Sequence, residues 1–370
     1  MKNIKLKLVI FVPLLVATFA VNATGSFSNG YTNVYVFGDS LSDNGNLMAL
    51  DPSFRERFTN GPVLAEIVAD AFGIALTPSN HLLEVSSFGN NYAIAGAKAV
   101  DDDGDETTPD INLPTQINSF LRIHDGVAPS DALYIVIIGG DDIRAARKIR
   151  TATVLAATRE ERQAIRQTAI DSLTLAVKSE QAQLRKLIAA GAVKIVVSNA
   201  PDVGVIPETD IVAKGLFANA QTRAQKRKAR RLPKVSTKLS ALYNRMLARE
   251  LARIERQTGV NFIEYDLFGF LTDQIDNAEN FGYTNTDDAC ILFFSQNGAL
   301  NPECGKFPGA SGFLFWDEIH PTTDAHEIAA REIIDKLLRV RSRRRFKSRH
   351  RHPRNCYQSR SRQRATHYYR

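Results

Sequence analysis

One serine is set apart by its surroundings in the segment Val34-Tyr-Val-Phe-Gly-Asp-Ser-Leu-Ser-Asp-Asn-Gly-Asn46. The first four residues form an apolar, strand-prone run, and the residues from Gly38 onward are typical of a turn. Ser40 is therefore predicted to follow a buried strand directly, at the end where ligands bind in open α/β sheets. To act as a nucleophile there, a serine hydroxyl needs a neighbouring base, a group that orients this base, and hydrogen-bond donors for the developing oxyanion.

The rest of the chain repeats the alternation of strand and helix. Two later apolar runs, residues 133–138 and 193–197, are also followed by polar residues, and a fourth strand is predicted over residues 261–265. Continuous apolar runs of this kind are typical of parallel strands buried on both faces. Helices are predicted over residues 63–72, 160–190, 235–257 and 321–338. The order of elements predicts an α/β fold with a central parallel sheet and helices on both faces.

The charge of the chain is unevenly distributed. Residues 341–370 contain twelve Lys and Arg residues and no acid, so the formal net charge of +7 falls to −5 without them. The domain predicted over residues 24–340 is therefore mildly acidic, which gives no reason to predict nucleic-acid binding. The basic tail, residues 341–370, lacks periodicity and is predicted to be disordered. It is either a contact for an anionic membrane or a solvated extension without a role.

A second basic cluster, Lys226-Arg-Lys-Ala-Arg-Arg231, lies inside the predicted domain. It precedes a helix whose apolar residues recur at near-helical spacing, and it is predicted to be a solvated approach to that helix. A processing site is the alternative, because the cluster contains dibasic pairs.

The first 23 residues have the pattern of an export signal. Lys2, Lys5 and Lys7 precede an apolar run over residues 8–20, and small residues follow up to Ala23. We predict a cleaved signal peptide over residues 1–23 and a secreted or periplasmic protein. A membrane anchor is the alternative, although the run is shorter than the roughly 20 residues of a spanning helix.

Two of the three cysteines are candidates for a disulfide. Cys290 and Cys304 lie in a loop-rich stretch, and an oxidising compartment would allow them to pair, whereas Cys356 is left over in the basic tail. No second cluster of Cys or His residues has the spacing of zinc ligands. We predict no metal and no organic cofactor.

A base and an orienting carboxylate occur together near the other end of the chain, in Phe315-Trp-Asp-Glu-Ile-His-Pro-Thr322. Asp317 and His320 are three residues apart, so a helical turn or a tight loop can bring the carboxylate to one ring nitrogen while the other faces Ser40. Alone, this pair is as often a surface turn as a catalytic pair. Together with the serine segment, it predicts a triad of Ser40, Asp317 and His320.

The two segments together resemble the GDSL, or SGNH-hydrolase, family of esterases and lipases, over nearly all of residues 33–338. The resemblance implies a flavodoxin-like three-layer α/β/α sandwich. It also implies an oxyanion hole in which the backbone N–H groups of Ser40 and Gly96 donate, because Asn91-Tyr-Ala-Ile-Ala-Gly96 is similar to the second block of the family.

Further blocks are similar to the exported phospholipase, lecithinase and haemolysin branch of this family. They are Ser42-Asp-Asn-Gly-Asn46, Thr59-Asn-Gly-Pro62, Leu113-Pro-Thr-Gln116 and Phe315-Trp-Asp317, together with the loop between Cys290 and Cys304. These blocks are less specific than the triad, because ordinary turns and helix starts use the same residues.

Asp141 departs from the pattern of the family. The third block usually reads Gly-Gly-Asn-Asp, and its Asn side chain donates to the oxyanion, whereas this chain has Gly139-Gly140-Asp141-Asp142. An ionised carboxylate cannot donate, and at about 3 Å it would repel the oxyanion by roughly 5 kcal/mol at an effective dielectric constant near 20. Three outcomes are open: Asp141 is protonated and donates, activity is reduced, or the donor comes from elsewhere.

The sequence therefore predicts an exported serine ester hydrolase of the lipase, phospholipase or lysophospholipase type, acting on a lipid or another acyl ester through an acyl-enzyme. Alternatives within the enzymes are a glycerophospholipid acyltransferase and a carbohydrate deacetylase. The alternative from another class is a catalytically weakened surface-binding protein, because Asp141 replaces the usual Asn.

Overall fold

Four parallel strands form the centre of the computed structural model, which describes residues 30–349 apart from 84, 86, 102–109, 294–297 and 305–308. In sheet order they are β1 (Val34–Gly38), β2 (Leu133–Ile137), β3 (Ile195–Ser198) and β4 (Ile263–Tyr265). The register pairs Val34 with Leu133, Tyr134 with Ile195, and Val196 with Ile263. All four strands lie where the sequence predicts them, with ends that differ by one or two residues.

Ten helices and two small strand pairs surround this sheet in the described part of the chain. The helices are α1 (Asn46–Leu50), α2 (Leu64–Ala71), α3 (Leu113–Ile123), α4 (Gly140–Thr151), α5 (Arg159–Ala190), α6 (Pro207–Ala218), α7 (Arg223–Ala229), α8 (Leu232–Thr258), α9 (Leu267–Asp276) and α10 (Thr323–Arg349). The added strands are β5 (Asn285–Ala289), β6 (Ile291–Leu292), β7 (Ala299–Leu300) and β8 (Phe313–Phe315), of which β5 pairs with β8 in parallel and β6 with β7 antiparallel.

The helices form two layers. Helices α3, α4, α5 and α8 pack on one another, while α10 packs on α2 and α9. Every residue of β1, β2 and β3 is buried, so both faces of the sheet are covered. This arrangement confirms the predicted three-layer α/β/α sandwich with a central parallel sheet.

Helix α4 is absent from the sequence prediction, which places only the end of a strand there. Its sequence carries few apolar residues, so the helical period is weak, and its start is a pair of glycines. Charges supply the missing stabilisation: Asp141 and Asp142 lie in the first turn, and Lys148 and Arg150 lie in the last, as the helix dipole favours.

The ends of the chain differ from the prediction or lie outside the description. Helix α10 continues to Arg349, past the predicted end at Leu338 and into the segment predicted as a tail. The predicted signal peptide over residues 1–23, and residues 350–370 with Cys356, lie outside the described residues. Within the described ranges, no helix combines the length and apolar character needed to cross a membrane.

A disulfide fixes the segment that leads to Asp317. Cys290 and Cys304 are bonded, as predicted, with their Cα atoms 5.1 Å apart. The N–H of Cys290 donates to the carbonyl of Phe315 at 3.0 Å, and that of Ile291 donates to the carbonyl of Trp316 at 2.7 Å. The bridge thereby anchors the backbone directly before the Asp-His pair.

Candidate active site

The turn after β1 presents Ser40 because Gly38 allows the backbones of β1 and β2 to approach closely. A Cβ atom on Gly38 would lie 2.0 Å from the carbonyl oxygen of Ile137. The carbonyl of Asp39 then accepts from the N–H groups of Ser42 at 3.0 Å and Asp43 at 3.1 Å. Asp39 Oδ1 accepts from the N–H of Leu41 at 3.0 Å, which closes the turn around Ser40.

The structure brings the three predicted residues into one chain of hydrogen bonds. His320 Nε2 lies 2.7 Å from Ser40 Oγ, and His320 Nδ1 lies 2.8 Å from both carboxylate oxygens of Asp317. Asp317 Oδ1 also accepts from the backbone N–H groups of Ile319 at 2.9 Å and His320 at 2.8 Å. Asp317 thereby holds the proton of the imidazole on Nδ1, which leaves Nε2 free to accept.

Segments distant in sequence hold His320 in place. Its carbonyl accepts from the N–H of Trp316 at 2.8 Å, and the ring of Phe58 lies 5.3 Å from the imidazole, centroid to centroid. Asn60 Oδ1 accepts from the N–H of Thr323 at 2.8 Å, which ties the predicted Thr59-Asn-Gly-Pro62 block to the start of α10. The imidazole is therefore oriented by contacts on several sides.

The segment that leads to Gly96 is tied to the serine segment, because the backbone of residues 90–94 runs along the free edge of β1. The N–H of Tyr92 donates to the carbonyl of Val36 at 2.7 Å, and that of Ile94 donates to the carbonyl of Gly38 at 3.1 Å. Asp43 Oδ2 accepts from the N–H of Ala95 at 2.8 Å, which links the serine segment to the glycine segment.

The backbone N–H groups of Ser40 and Gly96 donate to no group among the residues that the structure describes. Gly96 has a φ of +87°, a conformation that side chains disfavour, so glycine is required at this turn. Two unused donors, one in the serine turn and one in the segment hydrogen-bonded to it, are what an oxyanion hole needs.

Asp141 lies in the wall of the site, in the first turn of α4, and its carboxylate is paired. Arg144 Nη1 donates to Asp141 Oδ1 at 2.5 Å, and the other side of the Arg144 guanidinium binds Glu208 through Nε at 3.0 Å and Nη2 at 2.7 Å. Arg147 Nη2 adds a contact of 2.6 Å to Glu208. A carboxylate held in this ion pair is an acceptor, and its charge is balanced by the guanidinium.

Apolar residues form the remaining wall of the pocket that contains Ser40, His320, Asp141 and Arg144. They come from the loops after β3 and β8 and from α9, and they include Val203, Ile206, Leu267, Phe270, Leu271 and Ile319. A wall of this composition suits a hydrocarbon group more than a sugar.

Two residues of the site were not predicted. Gln116 holds Gly38 from both sides, because its Oε1 accepts from the N–H of Gly38 at 2.8 Å and its Nε2 donates to the carbonyl of Gly38 at 2.8 Å. The only signal for it is the Leu113-Pro-Thr-Gln116 block. Arg144 was missed as well, although its position three residues after Asp141 is the spacing of a helical ion pair.

Three buried acids, of which Asp39 lines the pocket, have raised pKa values. Burial, and then the charge of Asp141, raise the pKa of Asp39 well above its ordinary value. Burial raises the pKa of Asp142 to about 7 and that of Glu180 to about 8, although Tyr243 donates to Glu180 Oε2 at 2.6 Å. No group of three His, Cys, Asp or Glu side chains in the described ranges is placed to hold a metal ion.

Glu180 is expected to make the protein less stable as the pH rises. Its carboxyl keeps its proton in the folded state up to a pKa of about 8, against an ordinary value of 4.5. Between these values only the folded state holds the proton, so the free energy of unfolding falls by up to about 1.4 kcal/mol per pH unit. Glu180→Gln should flatten this slope in urea denaturation from pH 5 to 9.

The exposed Glu160 on the same helix provides the control, because Glu160→Gln should leave the slope unchanged. If the stability of Glu180→Gln still falls with pH as steeply as that of the parent protein, a group other than Glu180 holds the proton.

An α/β/α sandwich with a serine, a histidine and an aspartate at the carboxyl end of its first strand has the arrangement that hydrolases with a nucleophilic serine use. Comparison with known proteins narrows this class. A profile of the GDSL-like Lipase/Acylhydrolase family matches residues 34–333. The chain belongs to this family, and it is therefore an ester-hydrolysing enzyme.

Several curated relatives share most of the chain. GDSL esterase/lipase At1g74460 of Arabidopsis thaliana is 27% identical, over 82% of this chain and 86% of its own length. GDSL esterase/lipase LTL1 of the same plant is 26% identical, over 81% of this chain and 86% of its own. Lipase 1 of Photorhabdus luminescens is 25% identical over 89% of this chain, which spans about half (53%) of that protein.

Proposed function

We propose that the protein is an exported serine hydrolase of acyl esters of lipids, and that Ser40, His320 and Asp317 form its catalytic triad. The observation that carries the proposal is the continuous contact from Asp317 through His320 to Ser40, with distances of 2.8 and 2.7 Å. The near-complete burial of the three side chains supports it, because solvent does not compete with these hydrogen bonds.

The reaction follows from this geometry. His320 Nε2 takes the hydroxyl proton while Ser40 Oγ attacks the ester carbonyl carbon, and the carbonyl oxygen becomes an oxyanion. When the tetrahedral intermediate collapses, the ester C–O bond breaks and the imidazolium returns the proton to the leaving alcohol. Water then attacks the acyl-enzyme by the same route and releases the acid and Ser40.

The oxyanion is held by backbone groups in this proposal. The unused N–H groups of Ser40 and Gly96 donate to it, and the first-turn N–H groups of α4 add the positive end of a helix dipole. The Asp141 side chain does not donate. Arg144 pairs with the Asp141 carboxylate. The negative charge that Asp141 brings to the pocket wall therefore opposes the oxyanion less.

The apolar wall supports a hydrocarbon acyl group as the part of the substrate that lies beside Ser40. The relatives named lipases agree with this choice. More specifically, we propose a phospholipid or lysophospholipid as the substrate. The similarity of the blocks around Asn46, Pro62 and Gln116 to the phospholipase branch supports this choice. A polysaccharide deacetylase would need a polar surface for sugars next to the serine, and the wall favours lipid.

A substrate panel tests the proposal. We expect the mature protein to hydrolyse nitrophenyl butyrate and nitrophenyl octanoate, and to release fatty acid from a lysophospholipid, with acetylated xylan turned over at least about tenfold more slowly. Adding a primary alcohol or a sterol would trap the acyl group if transfer competes with hydrolysis. No turnover of any acyl ester, or a preference for acetylated xylan, would contradict the lipid assignment.

A further inference from the structure

A second concave surface lies at the opposite end of α4 from the site. It is a groove with a volume of about 1140 Å³, bounded by the last turn of α4, the start of α5, and helices α7 and α8. Among the residues that the structure describes, nine Lys and Arg residues line it, and no Asp or Glu residue does. We call it the basic groove.

One wall of the groove is a row of basic residues at the start of α8 and along it. Arg231, Lys234, Lys238 and Arg245 follow one another at helical spacing, and all four side chains are exposed. Helix α7 adds Arg227 and Lys228 from the cluster that the sequence predicts to be a solvated approach.

The same cluster is divided between two surfaces. Lys226 and Arg230 lie over the ring of Phe217, with their charged groups 5.4 and 4.5 Å from its centroid, and do not line the groove. The helical period of α7 therefore selects which basic residues face the groove.

The charges in the groove are not balanced by acids. Lys228 Nζ and Arg162 Nη1 donate only to backbone carbonyls, those of residues 154, 156 and 157. Burial, and then the neighbouring charge of Arg166, lower the pKa of Arg150, whose buried Nε has no hydrogen-bond partner. None of the nine side chains forms an ion pair with a described residue. Arg144 and Arg147, which come earlier in α4, both pair with Glu208.

Apolar side chains lie between these charges. Val154, Ile170, Leu239 and Leu242 line the groove, and Leu155 at its rim is 72% exposed. None of the described residues that line it is aromatic. A nucleic-acid surface commonly offers aromatic rings for stacking, whereas charge interleaved with aliphatic groups matches a headgroup phosphate and its first methylenes.

We propose that the basic groove binds anionic phospholipid headgroups at a membrane surface. Helix α4 carries Asp141 of the site in its first turn and Arg150 of the groove in its last, a separation of about 14 Å at 1.5 Å per residue. A membrane bound at the groove therefore lies near the pocket of Ser40. All the residues named as lining the groove lie within residues 150–245, inside the folded domain.

Binding to vesicles tests the proposal without catalysis. The full chain with Ser40→Ala, which should not degrade the lipid, is sedimented with phosphatidylcholine vesicles that contain or lack phosphatidylglycerol. Arg227→Glu, Lys234→Glu and Lys238→Glu are combined in one variant, since all three residues are exposed and line the groove. Each basic residue near an anionic surface contributes roughly a factor of five, so affinity for phosphatidylglycerol vesicles should fall about 100-fold.

A matched variant carries the same change in net charge outside the groove. Lys178, Arg249 and Arg256 are exposed on α5 and α8 and do not line it, so their joint replacement by Glu should reduce affinity by less than about threefold. The single change Lys238→Glu should cost about fivefold, which keeps the test valid if the triple variant does not fold.

Equal losses in the two triple variants would overturn the proposal, because the effect would then be one of net charge alone. Equal binding to vesicles with and without phosphatidylglycerol would also overturn it. So would a groove variant that loses binding to duplex DNA while it keeps its affinity for the vesicles. Since every readout is binding, failure here is distinct from failure of the proposed esterase activity.

Discussion

Ser40→Ala is expected to lower kcat on an acyl nitrophenyl ester by about 10⁶-fold, with little change in KM. The substitution removes the hydroxyl oxygen that lies 2.7 Å from His320 Nε2, so no acyl-enzyme can form on this residue. His320→Ala should cost about as much, and Asp317→Ala about 10⁴-fold, because the aspartate only orients and stabilises the imidazole. Initial rates at saturating substrate measure these losses.

The way in which the losses in kcat combine is as informative as the size of each loss. The double variant Ser40→Ala with His320→Ala should be no slower than either single variant, because residues that act as a unit are not additive. Ser42 provides a matched control two residues away: it is fully buried and its hydroxyl has no partner in the described chain. Ser42→Ala should therefore keep kcat within about twofold. Ser40→Ala with more than about one per cent of parental activity would contradict the proposed nucleophile.

The sequence predicts the sheet and the pair of Asp317 and His320 because both are encoded locally. Strands β1, β2 and β3 are short apolar runs buried on both faces, which few other structures accommodate. Asp317 and His320 are close for the same reason, since a turn of three residues suffices to join them. The position of Ser40 depends on Gly38, because only glycine lacks the Cβ atom that would clash with the neighbouring strand. One residue of the sequence therefore indicates this turn.

Features that depend on tertiary packing escape the sequence. Gln116 reaches Gly38 across 78 positions, and the bridge from Arg144 to Glu208 spans 64, so no local pattern reveals either contact. The sequence does not predict helix α4, because its many charged residues mask the helical period of its apolar residues. The ion pair that Arg144 forms within this helix is not predicted for the same reason. The basic groove is formed by residues of four helices that pack together only in the folded protein. The sequence shows the basic cluster that contains Arg227 and Lys228, but not the groove that these residues line.

Arg144→Met is expected to lower kcat by about 100-fold, because it leaves the Asp141 carboxylate unpaired in the pocket wall. Two like charges about 6 Å apart at an effective dielectric constant near 20 repel by roughly 3 kcal/mol, and a repulsion of that size is about two powers of ten in rate. Asp141→Asn should act in the opposite direction and raise kcat about tenfold, since it removes the charge and offers the amide donor that the family uses. KM should change little in both variants, because the oxyanion exists only after attack.

The double variant separates an interaction between the two residues from two independent effects. If Arg144 acts by neutralising Asp141, then Asp141→Asn combined with Arg144→Met should recover at least the parental kcat, since position 141 then carries no charge. If the double variant stays as slow as Arg144→Met, Arg144 contributes in another way, for example through Glu208. If Asp141→Asn is no faster at any pH, the side chain at position 141 does not reach the oxyanion. The exposed pair of Asp210 and Lys214 is the control, and Asp210→Asn should leave kcat unchanged.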